Sequence, residues 1–386
     1  MKETIFLVIN SFYGGGAEHA AARLSKEWDK RYKLINISFQ PANADDYDFY
    51  GERRYITSNS KIWINRIKDY ARQIDELACK YQPISIISFL NNPNLALCMS
   101  KYQCTKIISI RNYLPRMYSG VKLFLWRYLI KKYFRRADYV VSVSRLLSQT
   151  MHSEYGIDKK KCITIYNPYD IEEIRDKKKD SLDSISDLFY KKHVVISNVA
   201  HLCVAKGQYH LIRIMRELKK SYPNIGLVLV GKDKGYGERL MDLARKCNVE
   251  ENVLFAGHQN NPYKFIENSR CFVLPSLWEG FPNALAEAMI CGKPVIAFDC
   301  KSGPSEILKD SVKSYGVLLT DDTTEWLDEK APLSNSEIKL IEVLKRIFSE
   351  EDYEKALSNA AFQRSLDFAM PNIVNQWYKL IEKNEV

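Results

Sequence analysis

Apolar, β-branched runs of strand length recur along the chain at 4–10, 33–39, 84–90, 106–110, 139–144 and 162–167. The stretches 17–30, 61–80 and 121–136 between them read as helices. Strands alternating with helices predict a parallel sheet covered by helices. The pattern lapses over 169–189, which is rich in charge (Lys177, Lys178, Lys179, Asp180) and poor in large apolar residues, as a linker would be. It then restarts, with strands at 193–199, 226–230, 252–256, 271–274 and 294–298 and helices at 207–221, 237–247, 282–291, 335–349 and 351–366. A chain of 386 residues exceeds what one core usually supports. The fold class predicted is therefore α/β, with two Rossmann-like, doubly wound domains over 1–168 and 190–367 joined by the linker.

Composition places the chain among folded globular proteins, with 46% hydrophobic and 27% charged residues. The first apolar run, 5–9, is too short for a signal peptide or a membrane span, so a cytosolic protein is expected. Nine scattered cysteines without a C-x-x-C pair or a Cys/His cluster predict reduced thiols and no metal site. The net charge of +10 is uneven: no Asp or Glu occurs over 77–137. Within that block, 121–137 mixes aliphatic and aromatic residues with Lys122, Arg127, Lys131, Lys132, Arg135 and Arg136. Such a segment suits a helix lying against anionic lipid. It equally suits a core helix with a basic outer face, because Trp126, Leu129 and Ile130 could pack on the sheet.

Ligands of open parallel sheets sit beyond the carboxyl ends of the strands, which directs attention to the loops that follow them. After 271–274 come Glu279, Gly280, Phe281, Pro282 and Asn283, and then a short helix closed by Gly292. The unpaired amides at its start would suit a diphosphate. Glu287 lies within that helix. An isolated E-x7-E could be two solvated carboxylates, but a Trp-Glu-Gly-Phe-Pro turn followed by small residues fits a wall that approaches a ligand closely. After 193–199 come His201, Lys206 and Gly207, and Lys206 can supply a fixed cation for a departing diphosphate. After the first strand, Gly14, Gly15 and Gly16 permit close backbone approach without forming the dinucleotide G-x-G-x-x-G fingerprint, and Glu18 could stabilise the helix start. Arg111 follows 106–110; it does not titrate in a useful range, so it would bind phosphate or acceptor rather than act as a base.

The segment E-G-F-P-N-A-L-A-E between V-L-P-S and G-K-P-V-I-A resembles the signature of glycosyltransferase family 4. The resemblance extends over nearly the whole chain, through the glycine loop, the lysine motif, L-V-L-V-G, V-L-F-A-G and a final helix near Gln376 and Trp377. It implies the GT-B fold, with two Rossmann-like domains facing across a cleft and a C-terminal helix, 368–386, returning to the first domain. It also implies that Glu279 contacts hydroxyls of the transferred sugar, that Glu287 holds the ribose, and that Gly280 to Asn283 approach sugar and phosphate. Lys206 matches the family's diphosphate-binding lysine, whereas His201 stands where an arginine is usual and Arg111 where many relatives carry a histidine.

The function so implied is retaining, metal-independent transfer of a hexose or N-acetylhexosamine from a nucleotide-sugar to a lipid-linked or oligosaccharide acceptor. UDP is the more frequent donor nucleotide among relatives. The nucleotide-sugar is a co-substrate and no cofactor or metal is expected. The setting would be assembly of bacterial O-antigen or capsule by a peripheral protein on the cytoplasmic face of the inner membrane. A GT-B nucleotide-sugar 2-epimerase is the nearest alternative. A basic nucleic-acid-binding protein is another, raised by a pI of about 8.9, but no nucleic-acid motif appears and no nucleic-acid partner is expected.

Overall fold

The computed structural model describes residues 2–112, 119–300, 303–320, 326 and 328–383. Its chain divides into two compact units, Met1–Tyr169 with Met370–Val386, and Asp170–Ala369.

The first unit is a parallel sheet of β1 (Thr4–Ile9), β2 (Lys33–Ser38), β3 (Glu52–Tyr55), β4 (Ser85–Phe89), β5 (Thr105–Ile110), β6 (Tyr139–Ser142) and β7 (Cys162–Thr164) in the order 3-2-1-4-5-6-7. Side chains alternate along β1. Ile5, Leu7 and Ile9 join a core with Trp28 and Trp377, while Phe6 and Val8 join another with Ile67, Ile74 and Ile130. Both faces are buried, which is why these strands read as continuous apolar runs rather than alternating ones. Each fully buried Leu, Ile or Phe stabilises the fold by roughly 1.5–3 kcal/mol relative to exposure.

One face is covered by α1 (Gly16–Arg31) and the C-terminal helix Met370–Ile381, whose Trp377 stacks on Phe89 and meets Trp28 edge-on. The other carries α2 (Trp63–Tyr81), α3 (Asn91–Met99) and α4 (Gly120–Tyr133); α5 (Arg145–Ser153) follows β6. The strand β3 was not predicted, because E-R-R-Y is polar; it sits at the sheet edge, where charge guards against pairing with another chain.

The second unit opens with α6 (Ile171–Lys177) and α7 (Ser184–Lys192), so 169–189 is not the linker its charge density suggested. Asp170 and Asp183 cap these helices by accepting from the amides of Glu173 and Ser186. The charges form turn-to-turn pairs, Glu173–Lys177 and Asp187–Lys191, both at 2.6 Å.

The sheet that follows is wholly parallel: β8 (Val194–Val199), β9 (Ile225–Val230), β10 (Val253–Gly257), β11 (Cys271–Leu274), β12 (Val295–Phe298) and β13 (Val317–Leu319), in the order 10-9-8-11-12-13. Around it lie α8 (Gln208–Ser221), α9 (Gly237–Lys246), α10 (Tyr263–Glu267), α11 (Asn283–Ile290), α12 (Pro304–Leu308), α13 (Asn335–Ser349) and α14 (Glu351–Ser365). None of the nine cysteines is in a disulfide.

Candidate functional site

In each sheet the strand order reverses once, between β1 and β4 in the first unit and between β8 and β11 in the second. A crevice beyond the strand ends opens at such a point, so the loops leaving those strands line it.

In the second unit the loops after β8 and β11 are tied together. The Leu277 amide donates to the Ala205 carbonyl at 2.9 Å. Gly207 has φ +61°, and a Cβ there would lie 2.0 Å from the Pro275 carbonyl oxygen, so only glycine allows the two loops to close. The consequence is chemical: Lys206 Nζ donates to Glu279 Oε1 at 2.6 Å, and Ser276 Oγ donates to the same oxygen at 2.7 Å. Four residues before α11, then, a nearly buried carboxylate is held by a cation and a hydroxyl. Gly280, Phe281, Pro282 and Asn283 carry the chain from Glu279 into the helix. Pro282 precedes its first turn and Gly292 closes it at φ +76°. Glu287 is buried within α11, which removes the reading of a solvated helix residue.

His201 stands beyond β8 and is exposed, and its imidazole is held below the ordinary value of 6.5, first by partial desolvation and then by Lys234, Lys206, His258 and Lys232. Lys232, Lys234 and His258 were missed in the sequence, although each lies in the loop after a predicted strand, 226–230 or 252–256, where the strand-end rule would have nominated it. Backbone bonds set this cluster: the Leu202 amide donates to the Lys232 carbonyl and the Lys234 amide to the Leu202 carbonyl, both at 3.0 Å. The loops after β8, β9 and β10 thus bring basic residues to one strand-end region, where their field acts on His201 and favours an anion such as a diphosphate.

A measurable consequence follows. A bound diphosphate favours the imidazolium that the neighbouring cations disfavour, so through His201 affinity rises as pH falls. Nucleotide phosphates themselves protonate near pH 6 and act in the opposite sense. Titration calorimetry with UDP across about pH 5.5–8 should therefore show a larger gain in affinity at low pH for the wild type than for His201→Arg. Equal pH dependence of the two would remove His201 from the site.

In the first unit, Glu18 Oε2 accepts from the Gly15 amide at 3.1 Å. That amide is therefore engaged, and Gly14, Gly15 and Gly16 offer a ligand close backbone approach more than free donors. Burial raises the Glu18 carboxyl, while the backbone bonds and Arg111 oppose the rise. Arg111 is buried, donates to Asn167 Oδ1, and lies 4.3 Å over the Phe89 ring on which Trp377 stacks. Burial pulls its guanidinium down to about 9, against the Glu18 carboxylate, and leaves it charged at neutral pH. Its Nε has no hydrogen-bond partner among the described residues.

Lys122, Arg127, Lys131, Lys132, Arg135 and Arg136 are all exposed, on α4 and the 3₁₀ turn Phe134–Arg136 after it. Arg127 lies 3.7 Å from Glu154. Among the described residues no group of three or more His, Cys, Asp or Glu side chains could hold a metal ion, and no helix is long and apolar enough to cross a membrane.

Residues 182–363 match the family described as glycosyl transferases group 1, and residues 14–173 match Glycosyltransferase Family 4. An uncharacterized glycosyltransferase of Methanocaldococcus jannaschii is 28% identical over 92% of this chain and 94% of its own. The N-acetylgalactosamine-N,N'-diacetylbacillosaminyl-diphospho-undecaprenol 4-alpha-N-acetylgalactosaminyltransferase of Campylobacter jejuni is 27% identical over 97% of this chain and 98% of its own. Among solved structures, Anabaena HepE in complex with UDP and glucose superposes with a TM-score of 0.76 at 19% identity, covering 99% of this chain and 100% of that one. At that identity the likeness concerns the fold, and the fold is GT-B: the two doubly wound units are those of a glycosyltransferase. The chain belongs to glycosyltransferase family 4, and it is related to enzymes of bacterial lipopolysaccharide and amylovoran synthesis.

Proposed function

We propose that the protein is a retaining, metal-independent glycosyltransferase that moves a hexose or N-acetylhexosamine from a UDP-sugar to a lipid-linked saccharide during assembly of a bacterial surface polysaccharide. The observation that carries the proposal is the Lys206–Glu279–Ser276 group at the switch point of the second sheet.

The chemistry divides among these residues. A carboxylate can accept two hydrogen bonds from a vicinal diol, which suits Glu279 to the hydroxyls of the sugar. A donor diphosphate competes with Glu279 for Lys206, so that one binding event frees the carboxylate for the sugar and puts the cation on phosphate. The bond from the anomeric carbon to the diphosphate oxygen then breaks. A bond to the acceptor oxygen forms on the same face, and the acceptor proton passes to the departing phosphate. Lys206 and the cluster around His201 stabilise the charge that develops on the leaving group, a role that fixed cations can fill without a metal. In the first unit, the Nε of Arg111, without a hydrogen-bond partner among the described residues, is a donor that a phosphate or acceptor oxygen would satisfy.

The UDP preference draws on HepE, which has been solved with UDP and with UDP-glucose, and the lipid-linked acceptor draws on the name of the Campylobacter relative. Such an acceptor is met at a membrane, and on this reading the enzyme works as a peripheral protein on the cytoplasmic face of the inner one.

The test is a thermal-shift panel of UDP, GDP, ADP and their sugar conjugates, on the wild type and on Glu287→Ala, in chelator. A nucleotide at a hundred times its Kd stabilises the folded state by about 2.7 kcal/mol, several degrees of melting temperature. We expect one series to shift the wild type and Glu287→Ala to lose most of that shift. No shift from any nucleotide in a folded protein would overturn the donor site, and the anomeric configuration of the product, read by NMR, tests retention.

A further inference from the structure

A surface helix of a globular protein usually has one apolar stripe, which faces the core. α4 has two. Trp126, Leu129 and Ile130 are buried against the first sheet, as the core reading of this segment requires. On the other side Val121, Phe124, Leu125 and Tyr128 are 84, 75, 45 and 53% exposed. Their spacing, i, i+3, i+4, i+7, makes a single ridge along the helix. Exposed apolar residues scattered singly need no explanation, but four in register on one short helix do.

The surroundings of the ridge are cationic. Lys131 and Lys132 lie one turn beyond Tyr128, and Lys132 Nζ sits 3.4 Å from the Tyr128 hydroxyl and 5.5 Å over its ring. Arg135 and Arg136 follow in the 3₁₀ turn, with Arg136 over the Tyr133 ring. Acidic groups near the helix are few and engaged: Glu154 lies by Arg127, and Asp138 accepts from the Lys106 amide. Arg135 and Arg136 make no ion pair, and neither do Lys122, Lys131 and Lys132, among the described residues. Fourteen residues are too few to span a bilayer, whose apolar core needs about 20. A helix that is apolar toward the solvent, edged with cations and too short to span has the character of one that lies in a membrane interface.

We propose that the ridge Val121–Phe124–Leu125–Tyr128 enters the headgroup boundary of an anionic lipid leaflet while Lys131, Lys132, Arg135 and Arg136 contact its phosphates. The ridge holds the first unit on the membrane through a helix whose opposite side is part of that unit's own core. This deepens the reading of a lipid-linked acceptor, because it names the surface through which the enzyme reaches it. The geometry of the helix, however, stands without that reading.

The experiment is flotation of the full chain with vesicles of phosphatidylcholine alone or mixed with phosphatidylglycerol, without donor or acceptor. The wild type should float with the mixed vesicles, and salt should release it. Phe124→Ser with Leu125→Ser, and separately Lys131→Glu with Lys132→Glu, should each lower the partition coefficient about tenfold or more. Both variants should keep the circular dichroism and the nucleotide-induced thermal shift of the wild type, since none of these side chains belongs to the core or to the donor site.

Indifference of the wild type to phosphatidylglycerol would overturn the proposal, as would variants that float like the wild type. So would a dimer, seen by sedimentation, that Phe124→Ser with Leu125→Ser dissociates, because a second copy would then cover the ridge. A wild type that keeps its nucleotide response but does not bind the mixed vesicles sinks this inference alone. Intact vesicle binding with no nucleotide response sinks the donor site alone.

Discussion

Lys206→Ala should lower kcat/KM for the nucleotide-sugar by about 10²–10³-fold, the usual consequence of removing one preorganised group that stabilises charge in the transition state. That corresponds to roughly 2.7–4 kcal/mol of lost stabilisation. The size of the effect follows from the position of the lysine. It sits at the switch point of the second sheet, on a loop that Gly207 locks against Pro275, and its partner Glu279 is nearly buried. Lys206→Arg keeps the charge but replaces a point cation with a planar fork, so it should recover only part of the loss. The measurement is initial rate against donor concentration for the three proteins. A Lys206→Ala protein that folds and stays within about threefold of the wild type in kcat/KM would remove the lysine from the mechanism.

The second large effect is on stability. Arg213 in α8 is fully buried and donates to both oxygens of Glu337, Nε to Oε1 at 2.8 Å and Nη2 to Oε2 at 3.1 Å. It also donates to the carbonyls of Asp328, Ala331 and Pro332, and His210 Nδ1 lies 2.9 Å from Glu337 Oε1. The group pins the chain before α13 to α8. Arg213→Ala leaves a buried carboxylate without its guanidinium and should cost about 3–5 kcal/mol, a fall in melting temperature on the order of 10 °C.

A combined Arg213→Met, Glu337→Leu, His210→Leu protein should be more stable than Arg213→Ala alone, since replacing a whole buried charge group is far less costly than breaking one. The network also has a pH signature. Burial would raise the Glu337 carboxyl, but the bonds from His210 and Arg213 prevail and hold it below its ordinary 4.5. Its stabilising contribution is thus fully present above about pH 4.5 and is lost as pH falls through the depressed folded value. Denaturant melts between neutral and acidic pH would show this loss in the wild type, and much less of it in the triple variant.

The sequence signals that held were those with a local cause. β1, β2, β4 and β5 announce themselves as apolar runs because both faces of a parallel sheet are buried. The turn into α11 is equally legible, because Pro282 and Gly292 have fixed conformational preferences. The signals that misled were compositional. Charge density over 169–189 suggested a linker, yet Asp170 and Asp183 already marked two helix starts there and the charges pair turn to turn. α3 was overlooked because N-N-P-N-L-A-L-C-M has no polar side: nearly all of it is buried, and its periodicity vanishes.

By itself, then, the sequence determined the α/β alternation, the two sheets and the loops in which to look for chemistry, because each depends on residues near one another in the chain. It could not tell that Lys206 and Glu279, 73 residues apart, share a hydrogen bond, or that the charges of Lys232, Lys234 and His258 act on His201. Those meetings depend on strand order, which brings β8 beside β11 and β9 although the chain visits them at long intervals. The two readings of 121–137 are the clearest case. Periodicity shows that a helix has apolar residues, but which of them find a core is decided only by the surface the helix lies on. Here that surface takes Trp126, Leu129 and Ile130 and leaves Val121, Phe124, Leu125 and Tyr128 to the solvent.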